Sequence, residues 1–578
     1  MRTILGLNFN HADSSVCLIK NGKLEYAVEE ERINRVKHWS GVPYGAIKEA
    51  LRYSKTDLGD ITDITVNTNP LSNLGYKSIY ALKNYLFGKK KYEIFDRLKK
   101  KINIKNTINS HFFPSSLNSR VKFHYIDHHL SHIASAFYPS GFKDAVGLSI
   151  DGFGDFASIC IAKCENDKIR IIKRILFPHS LGVFFESFTQ MIGFKNYGDE
   201  YKMMGLSSYG EPKFVNLILN NIFKSENQLE LNLKYFNHTD NNFSYNFEGK
   251  PNQNDLFSKE LENLFNINEL TTETITDTHK NIAASAQKVF EIKLIEICKT
   301  IEKMKISKNL VYAGGCALNS LANRKIEQSN LFENIFIPYA PGDGGGSIGS
   351  ALYHYKKKNK KSIVKNLKNP FIGSSYSNED IKKIINKTKK LNNFHCTYHY
   401  NKDDLLKEIS NSIFQNKIIG YFNGRMEFGA RALGNRSILA NPCNPDIKSI
   451  INKKIKRREN FRPFAPSILY EKKNLWFENK KENSYMSTVE KIREEKQSII
   501  PAVTHIDGTG RVQTVTKSNN EDFYNLICYF ERISNVPIIL NTSFNENEPI
   551  VMKPIDAINC FLRTDMDILV LNNFMIRR

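Results

Sequence analysis

The stretch GLNFNHADSSVCLIKNGKLEYAVEEER, residues 6–32, decides the fold because it recurs. Residues 147–174 read GLSIDGFGDFASICIAKCENDKIRIIKR, with the same order of apolar strand, polar tip, strand, tight turn and strand. The pieces SVCLIK (15–20) and SICIAK (158–163) nearly superimpose. Short apolar runs bounded by turn residues predict a β-meander in each copy. Two copies in one chain predict a two-lobed α/β domain with a cleft between duplicated halves.

Actin-like ATPases have this architecture, with paired hairpin tips that face the nucleotide phosphates. Outward from the repeat, the helical run THKNIAASAQKVFEIKLIEICKTIEKM (278–304) leads into the strand NLVYAGG. Residues 213–270 are polar and irregular and read as an insertion or lid. The lysine-rich run 354–370 reads as a linker, which gives domains 1–360 and 361–578. Beyond it, KIIGYFNG (417–424) and VPIILNTSF (536–544) predict strands of a second α/β domain.

Composition narrows the class. A chain of 578 residues with 41% hydrophobic and 11% aromatic content has material for sizeable cores. No apolar run approaches bilayer-spanning length, and MRTILGLNFN turns polar too early for a signal peptide. Nine scattered cysteines without a CxxC argue against a disulfide framework or zinc ribbon and fit a reducing cytoplasm. The net charge of +22 invites a nucleic-acid reading, but much of the lysine lies in asparagine-interleaved runs such as 88–106 and 355–369, which read as solvated faces.

DHHLSH (127–132) opens a helix with an apolar stripe at Leu130, Ile133, Ala134 and Phe137. His128 and His132 are four apart and share a face, so they can grip one ion. The alternative is capping by Asp127 and plain hydrogen bonding. Two acidic turns offer further ligands: Asp343 in PGDGGGSIGSAL and Asp151 in DGFGD, the latter equally readable as a turn former. Two histidines with carboxylate suit iron(II), manganese or zinc. YAGGCALNS brings Gly314 and Gly315 ahead of a helix, with Asn319 in reach of a ribose or base. The amides around Gly152, Gly342, Gly344 and Gly345 are suited to cradling phosphates.

In the second domain arginines recur in GRMEFGARALGNRSIL (424–439), KIKRRENFRPFAPSIL (454–469) and DGTGRVQTV (507–515). They alternate with glycine and apolar residues, which predicts burial, and a buried guanidinium is expected to face an anion such as phosphate. Asn541, Thr542 and Ser543 of LNTSFNENEP add neutral donors.

On these residues the chain resembles the O-carbamoyltransferases of the NodU/CmcH type. The likeness runs in order through GLNFNHADSS, EEERINRVKH, DHHLSH, IDGFGD, GDEYKMMGL, GGCALN, GDGGGSIG, GARALGNRSILANP, KRRENFRPFAPSIL, HIDGTGRVQTV and ILNTSFNENEPIV. Against the family pattern, His11-Ala12-Asp13 is one residue longer, and Ala430 stands where proline is common. The resemblance implies an N-terminal actin-like domain, similar to the metalloprotein that makes threonylcarbamoyladenosine on transfer RNA, and a C-terminal YrdC-like domain. It implies that the second domain joins carbamoyl phosphate to ATP, with magnesium, as carbamoyl adenylate. The first would then move the carbamoyl group to an acceptor hydroxyl of a small molecule, releasing AMP.

By the same resemblance His128, His132 and Asp343 would ligate a divalent metal, with Asp151 at the metal or nucleotide. His11 would be the general base and Lys37 would meet developing negative charge. Lys202 would lie near nucleotide or acceptor. Arg462, Arg511, Asn541 and Ser543 would hold carbamoyl phosphate, with Arg431, Arg436, Lys456 and Arg458 lining the same cleft. Two other readings compete. One is a fused transfer-RNA threonylcarbamoyladenosine enzyme; the other is a non-enzymatic actin-like nucleotide- or RNA-binding protein.

Overall fold

Both copies of the repeat fold as antiparallel meanders. In the first, β1 (Thr3–Asn8), β2 (Ser15–Lys20) and β3 (Lys23–Glu29) pair in sequence; in the second, β6 (Asp144–Gly154), β7 (Ala157–Glu165) and β8 (Lys168–Leu176) do the same. Two parallel strands then extend each sheet from its first strand. These are β4 (Asp63–Val66) and β5 (Lys122–Tyr125) in the first lobe. A two-residue ribbon, β9 (Tyr245–Asn246) with β10 (Asn252–Gln253), intervenes before β11 (Asn309–Ala313) and β12 (Asn334–Phe336) complete the second. The orders β3-β2-β1-β4-β5 and β12-β11-β6-β7-β8 are one pattern read from opposite ends.

This computed structural model describes residues 2–86, 103–112, 121–225, 229–240, 243–246, 248–359 and 364–578. Most of the basic run 88–106, and residue 360 itself, lie outside them. The chain separates into two units, Met1–Lys368 and Asn369–Arg578.

The first lobe's central strand, TILGLN, is buried at every position because both faces are covered. Its glycine admits a helix. A Cβ on Gly6 would lie 2.3 Å from the Ser347 carbonyl oxygen of the Gly346–Lys358 helix. Gly147, at the same place in the second copy, would put its Cβ 2.5 Å from Ile133 Cγ2 of the His128–Ser140 helix. The two helices meet each other at Gly349, where a Cβ would stand 1.8 Å from the Ser131 carbonyl oxygen. Their contact gathers His128, at the start of one helix, and Asp343, just before the other. The described residues of 213–270 are a packed part of the second lobe, with Phe236, Leu256 and Leu261 buried and the Leu256 amide donating to Gln190 Oε1.

The second unit carries an eight-stranded mixed sheet. In chain order its strands are β13 (His395–Tyr398), β14 (Ile419–Phe422), β15 (Arg436–Ala440), β16 (Ala465–Leu469), β19 (Gln513–Val515), β20 (Ile538–Ser543), β21 (Ile568–Leu571) and β22 (Phe574–Arg577). A ribbon of β17 (Glu490–Lys491) and β18 (Thr509–Gly510) stands apart. The helices Lys402–Phe414 and Glu521–Ser534 bury Leu405, Ile409, Ile413, Phe523, Leu526 and Phe530 in the core. The chain is therefore mixed α/β in both units. All nine cysteines are free thiols, and among the described residues no helix is long and apolar enough to cross a membrane.

Candidate active site

The DHHLSH segment divides its work by helical position. Asp127 caps the helix, accepting from the Leu130 amide at 3.1 Å, and is held by Ser72 Oγ and Arg174 Nη2 at 2.7 and 2.9 Å. Asp155 accepts from the His128 amide at 2.9 Å and from Thr68 Oγ1 at 2.7 Å, fixing the first turn. His129 faces the second-lobe sheet, with Nδ1 2.8 Å from Ser149 Oγ and Nε2 3.0 Å from the Ala157 carbonyl oxygen. Burial lowers its pKa to about 4. His128 and His132 point elsewhere, toward Asp151 and Asp343.

These four side chains converge. His128 Nε2, His132 Nε2 and Asp151 Oδ2 form a triangle with sides of 2.8, 3.0 and 3.1 Å. Asp343 Oδ1 lies 3.3 Å from His132 Nε2 and 3.6 Å from His128 Nε2. Asp151 stands within β6, where the register with β7 breaks between Ile150 and Gly154. Its other oxygen accepts from the Gly152 and Gly315 amides at 2.9 and 3.2 Å.

A divalent cation fits this donor set. Four ligating atoms, two imidazole nitrogens and two carboxylate oxygens, lie within 4.8 Å of one another, and both histidines are fully buried. One proton serves only one edge of the triangle, whereas a cation satisfies every corner. Asp343 Oδ1 is buried without a well-directed hydrogen bond among the described residues. Electrostatics agree. Burial, then the charge of Asp151, raises the Asp343 pKa to about 6. Burial opposes ionisation of Asp151 too, but the histidine hydrogen bonds hold it well below the usual carboxylate range. Burial would lower His132, but Asp151 and Asp343 bring it to about 9.

The first-lobe hairpin tip and the segment after β3 stand beside this cluster. The His11 ring lies 4.6 Å from the His128 ring, centroid to centroid. Asp13 Oδ1 is 2.8 Å from His38 Nδ1, and Glu31 Oε2 accepts from the His38 amide at 2.9 Å. Lys37 adjoins that pair in sequence. Burial would lower the His38 pKa, but Asp13 raises it to about 9. Loss of solvent around half-buried Glu200 pushes it up to about 7, and burial, then the charge of Glu200, raises Glu186 well above the carboxylate range. None of Asp13, Glu31, His38, Glu186 and Glu200 is a candidate on the sequence alone, although Glu31 and His38 lie in EEERINRVKH, Asp13 in GLNFNHADSS and Glu200 in GDEYKMMGL.

Of the residues expected at a nucleotide, Gly314 and Gly315 pack against β6. Gly314 has φ +97°, and its Cβ would fall 2.1 Å from the Ile150 carbonyl oxygen. A Cβ on Gly345 would meet the Ala340 carbonyl oxygen at 2.0 Å, and one on Gly344 would lie 3.3 Å from Glu29 Oε1. Gly152 and Gly342 face more open space. Lys202 is paired with Asp199 at 3.0 Å. Asn319 corrects an expectation. Its amide caps the next helix through the Ala322 amide at 3.1 Å and exchanges hydrogen bonds with Gln287 at 2.9 and 3.2 Å, so it is engaged inside the lobe rather than extended to a ligand.

In the second unit the arginines part company. Burial, then the charge of Arg431, pushes the Arg511 guanidinium well below its ordinary range, which marks two cations held close in a poorly solvated place. Arg511 Nε donates to the Met486 carbonyl at 2.8 Å. Asn541 links to this loop by donating to the Ala432 carbonyl, and its Oδ1 is buried without a partner among the described residues. Arg462 lies 3.6 Å from Glu459, while Arg458 donates to Asn452 Oδ1 at 2.7 Å and stacks on Phe464.

Arg436 is a second correction. Fully buried, it donates to the carbonyls of Asn423, Asn435, Ser374 and Gly424 at 2.9 to 3.2 Å and lies 3.6 Å over the Phe422 ring. Backbone carbonyls therefore replace the anion expected there. Lys456 is a third. Its ammonium donates to Ser543 Oγ and to both the carbonyl and Oδ1 of Asn545, pinning that turn instead of lining a cleft. Ser543 Oγ in turn donates to Asn545 Oδ1 at 2.7 Å.

Comparison with known proteins addresses the whole chain. A family model described as Carbamoyltransferase N-terminus matches residues 3–352, and one described as Carbamoyltransferase C-terminus matches residues 410–578. The chain is 34% identical over 620 aligned residues to the Synechocystis protein sll1178, covering 100% of this chain and 97% of that one. It is 33% identical to nodulation protein NolNO of Sinorhizobium fredii, covering 98% and 79%, and 33% identical to nodulation protein NolO of Bradyrhizobium diazoefficiens, covering 78% and 79%. With both halves matched in order, and the histidine cluster and the second-unit arginines within the matched residues, the chain belongs to the carbamoyltransferase family and is a carbamoyl-transferring enzyme.

Proposed function

We propose that the chain is an ATP-dependent O-carbamoyltransferase acting on a hydroxyl of a small molecule such as a sugar, an antibiotic or another secondary metabolite. The observation that carries this reading is the cluster of His128, His132, Asp151 and Asp343 with the His11 ring 4.6 Å from that of His128, in a chain of this family. The duplicated sheet order supports assigning the first unit as actin-like, and the second unit takes the YrdC-like role.

In the second unit Arg431, Arg462, Arg511, Asn541 and Ser543 hold carbamoyl phosphate. Water cleaves carbamoyl phosphate to carbamate and phosphate, and the carbamate oxygen then bonds to the α-phosphorus of ATP, with magnesium, giving carbamoyl adenylate as pyrophosphate leaves. In the first unit the nucleotide rests against the glycine loops at Gly152, Gly314, Gly315, Gly342, Gly344 and Gly345. His128, His132, Asp151 and Asp343 hold a divalent metal, iron(II) before manganese or zinc, which when bound supplies Lewis acidity at the reacting oxygen. His11 takes the proton from the acceptor hydroxyl, a task suited to imidazole near neutral pH. Lys37 balances the negative charge that develops, and Lys202 orders the nearby loop through Asp199. The acceptor oxygen bonds to the carbamoyl carbon as AMP leaves. Free thiols throughout support a reducing cytoplasm as the working compartment.

The test follows isotopically labelled carbamoyl phosphate. Purified protein with ATP and a panel of hydroxylated metabolites should give AMP and pyrophosphate in step with a carbamate ester, read by mass spectrometry. AMP formation that depends instead on threonine and bicarbonate would overturn the assignment.

A further inference from the structure

A second cluster of metal-ligating side chains lies in the first lobe, away from the cluster just described. Asp63 opens β4, His124 lies on neighbouring β5, and His354 lies on the Gly346–Lys358 helix that covers this sheet. Asp343 precedes that helix, whereas His354 is eight residues beyond its first residue, about 12 Å along the axis. The two places are therefore separate.

Its geometry is specific. His124 Nε2 is 2.8 Å and His354 Nε2 is 3.1 Å from the same oxygen, Asp63 Oδ1. The rings stack with centroids 3.8 Å apart and planes 28° apart, so both nitrogen-bearing edges end at one point. Lys358 Nζ also reaches Oδ1, at 3.3 Å. The other oxygen, Oδ2, accepts from Arg2 Nε at 3.1 Å and Thr62 Oγ1 at 2.9 Å. Three groups, His124, His354 and Lys358, thus crowd one oxygen that offers two lone-pair positions. Hydrogen bonding alone leaves Oδ1 oversubscribed.

We propose that Asp63, His124 and His354 form a binding site for a divalent transition metal, of the zinc, nickel or copper class, independent of the proposed catalytic cluster. Two imidazole nitrogens and one carboxylate oxygen are the donors those ions prefer. Arg2 and Thr62 stay on Oδ2 and orient the carboxylate, as supporting groups around metal ligands do. Lys358 occupies the position the ion needs. It is the last residue of its helix and 38% exposed at the side chain, so its ammonium is free to swing into water. Binding would fasten the end of the helix to the edge of the sheet.

The experiment uses full-length protein stripped by chelator and titrated with zinc alone at pH 7.5, followed by calorimetry and equilibrium dialysis. The expected result is two equivalents on wild type, one of which survives His132→Ala. His124→Gln, a change at a partly exposed edge position, should weaken that surviving equivalent about 10- to 100-fold. Lys358→Met should tighten it, because a competing cation has been removed; a hydrogen-bonded network without metal would not respond that way. Cobalt(II) in place of zinc should show a visible absorption band that His124→Gln removes. The proposal is overturned if folded His124→Gln and wild type bind zinc identically, or if His132→Ala abolishes all uptake. Wild type that binds a single equivalent, unchanged by His132→Ala and weakened by His124→Gln, would instead tell against the catalytic cluster and leave this site standing.

Discussion

Gly154→Ala should disable the proposed metal cluster without replacing a ligand. A Cβ at residue 154 would fall 1.9 Å from His128 Cδ2, 2.1 Å from Cγ and 2.5 Å from Nε2. Carbon contacts settle near 3.5–4.0 Å, so the ring must move by about 1.5 Å or more. His128 is fully buried and its backbone is tied to Asp155, which leaves little room for a compensating shift. Metal ligation tolerates departures of about 0.2 Å. Disturbing only the supporting groups of a ligand typically weakens metal binding about 10- to 100-fold, roughly 1.4–2.7 kcal/mol, so a displaced ligand should lose at least about 100-fold. Overpacking itself costs about 1–3 kcal/mol, within the stability of an ordinary domain, so the variant should still fold. Iron(II) or zinc uptake is measured by dialysis against buffered free metal, with carbamoyl transfer read in parallel. Gly152→Ala is the matched control, since a Cβ there meets nothing within 4 Å and metal uptake should stay near wild type. A folded Gly154→Ala protein with wild-type metal affinity and transfer rate would refute both the steric argument and the assignment of His128.

Other outcomes follow from the second unit and the hairpin tip. Arg511→Ala should slow adenylate formation by about 100-fold or more while sparing transfer from supplied carbamoyl adenylate; equal loss of both steps would contradict the division of labour. Arg436→Met leaves four carbonyls without their donor and should destabilise the second unit by about 3 kcal/mol in urea unfolding, with the KM for carbamoyl phosphate little changed in the folded protein. A large KM effect without lost stability would return Arg436 to the anion site. The His38–Asp13 pair should impose a pH dependence on stability. Because the His38 pKa is about 9 when folded and about 6.5 when unfolded, its contribution is complete below pH about 6.5 and is lost as pH rises through about 9. Both side chains are about 30% exposed, so solvent screening limits the loss to about 1 kcal/mol. Urea midpoints at pH 6.5 and 9.5 should show that loss in wild type and not in Asp13→Asn.

The repeat at residues 6–32 and 147–174 was legible because strand signals are local: apolar runs, turn residues and a period of two are visible in any short window. The i, i+4 spacing of His128 and His132 was legible for the same reason, as helical geometry alone places them on one face. Of the second-unit arginines expected to be buried, Arg436 is fully buried, whereas Arg431, Arg458, Arg462 and Arg511 are half-buried. Nothing in the residues around Arg436 says that four backbone carbonyls will surround it, since those carbonyls come from residues 374, 423, 424 and 435 and turn inward only when β14 and β15 pair. Asn319 and Lys456 failed as ligand contacts for the same cause, each meeting a partner more than 30 residues away.

By itself, then, the chain's order of residues determined two meanders, a histidine-bearing helix and a family. Tertiary packing alone decided which charges meet. The Gly349 crossing brings the ends of two helices together, and with them residues 128, 132, 151 and 343, which span more than 200 positions of sequence. The first-lobe sheet and the helix that covers it bring His124 and His354 to one oxygen of Asp63. Side chains that converge from distant segments owe their distances to close packing of helix on helix and helix on strand, and that packing has no signature in a short window of sequence.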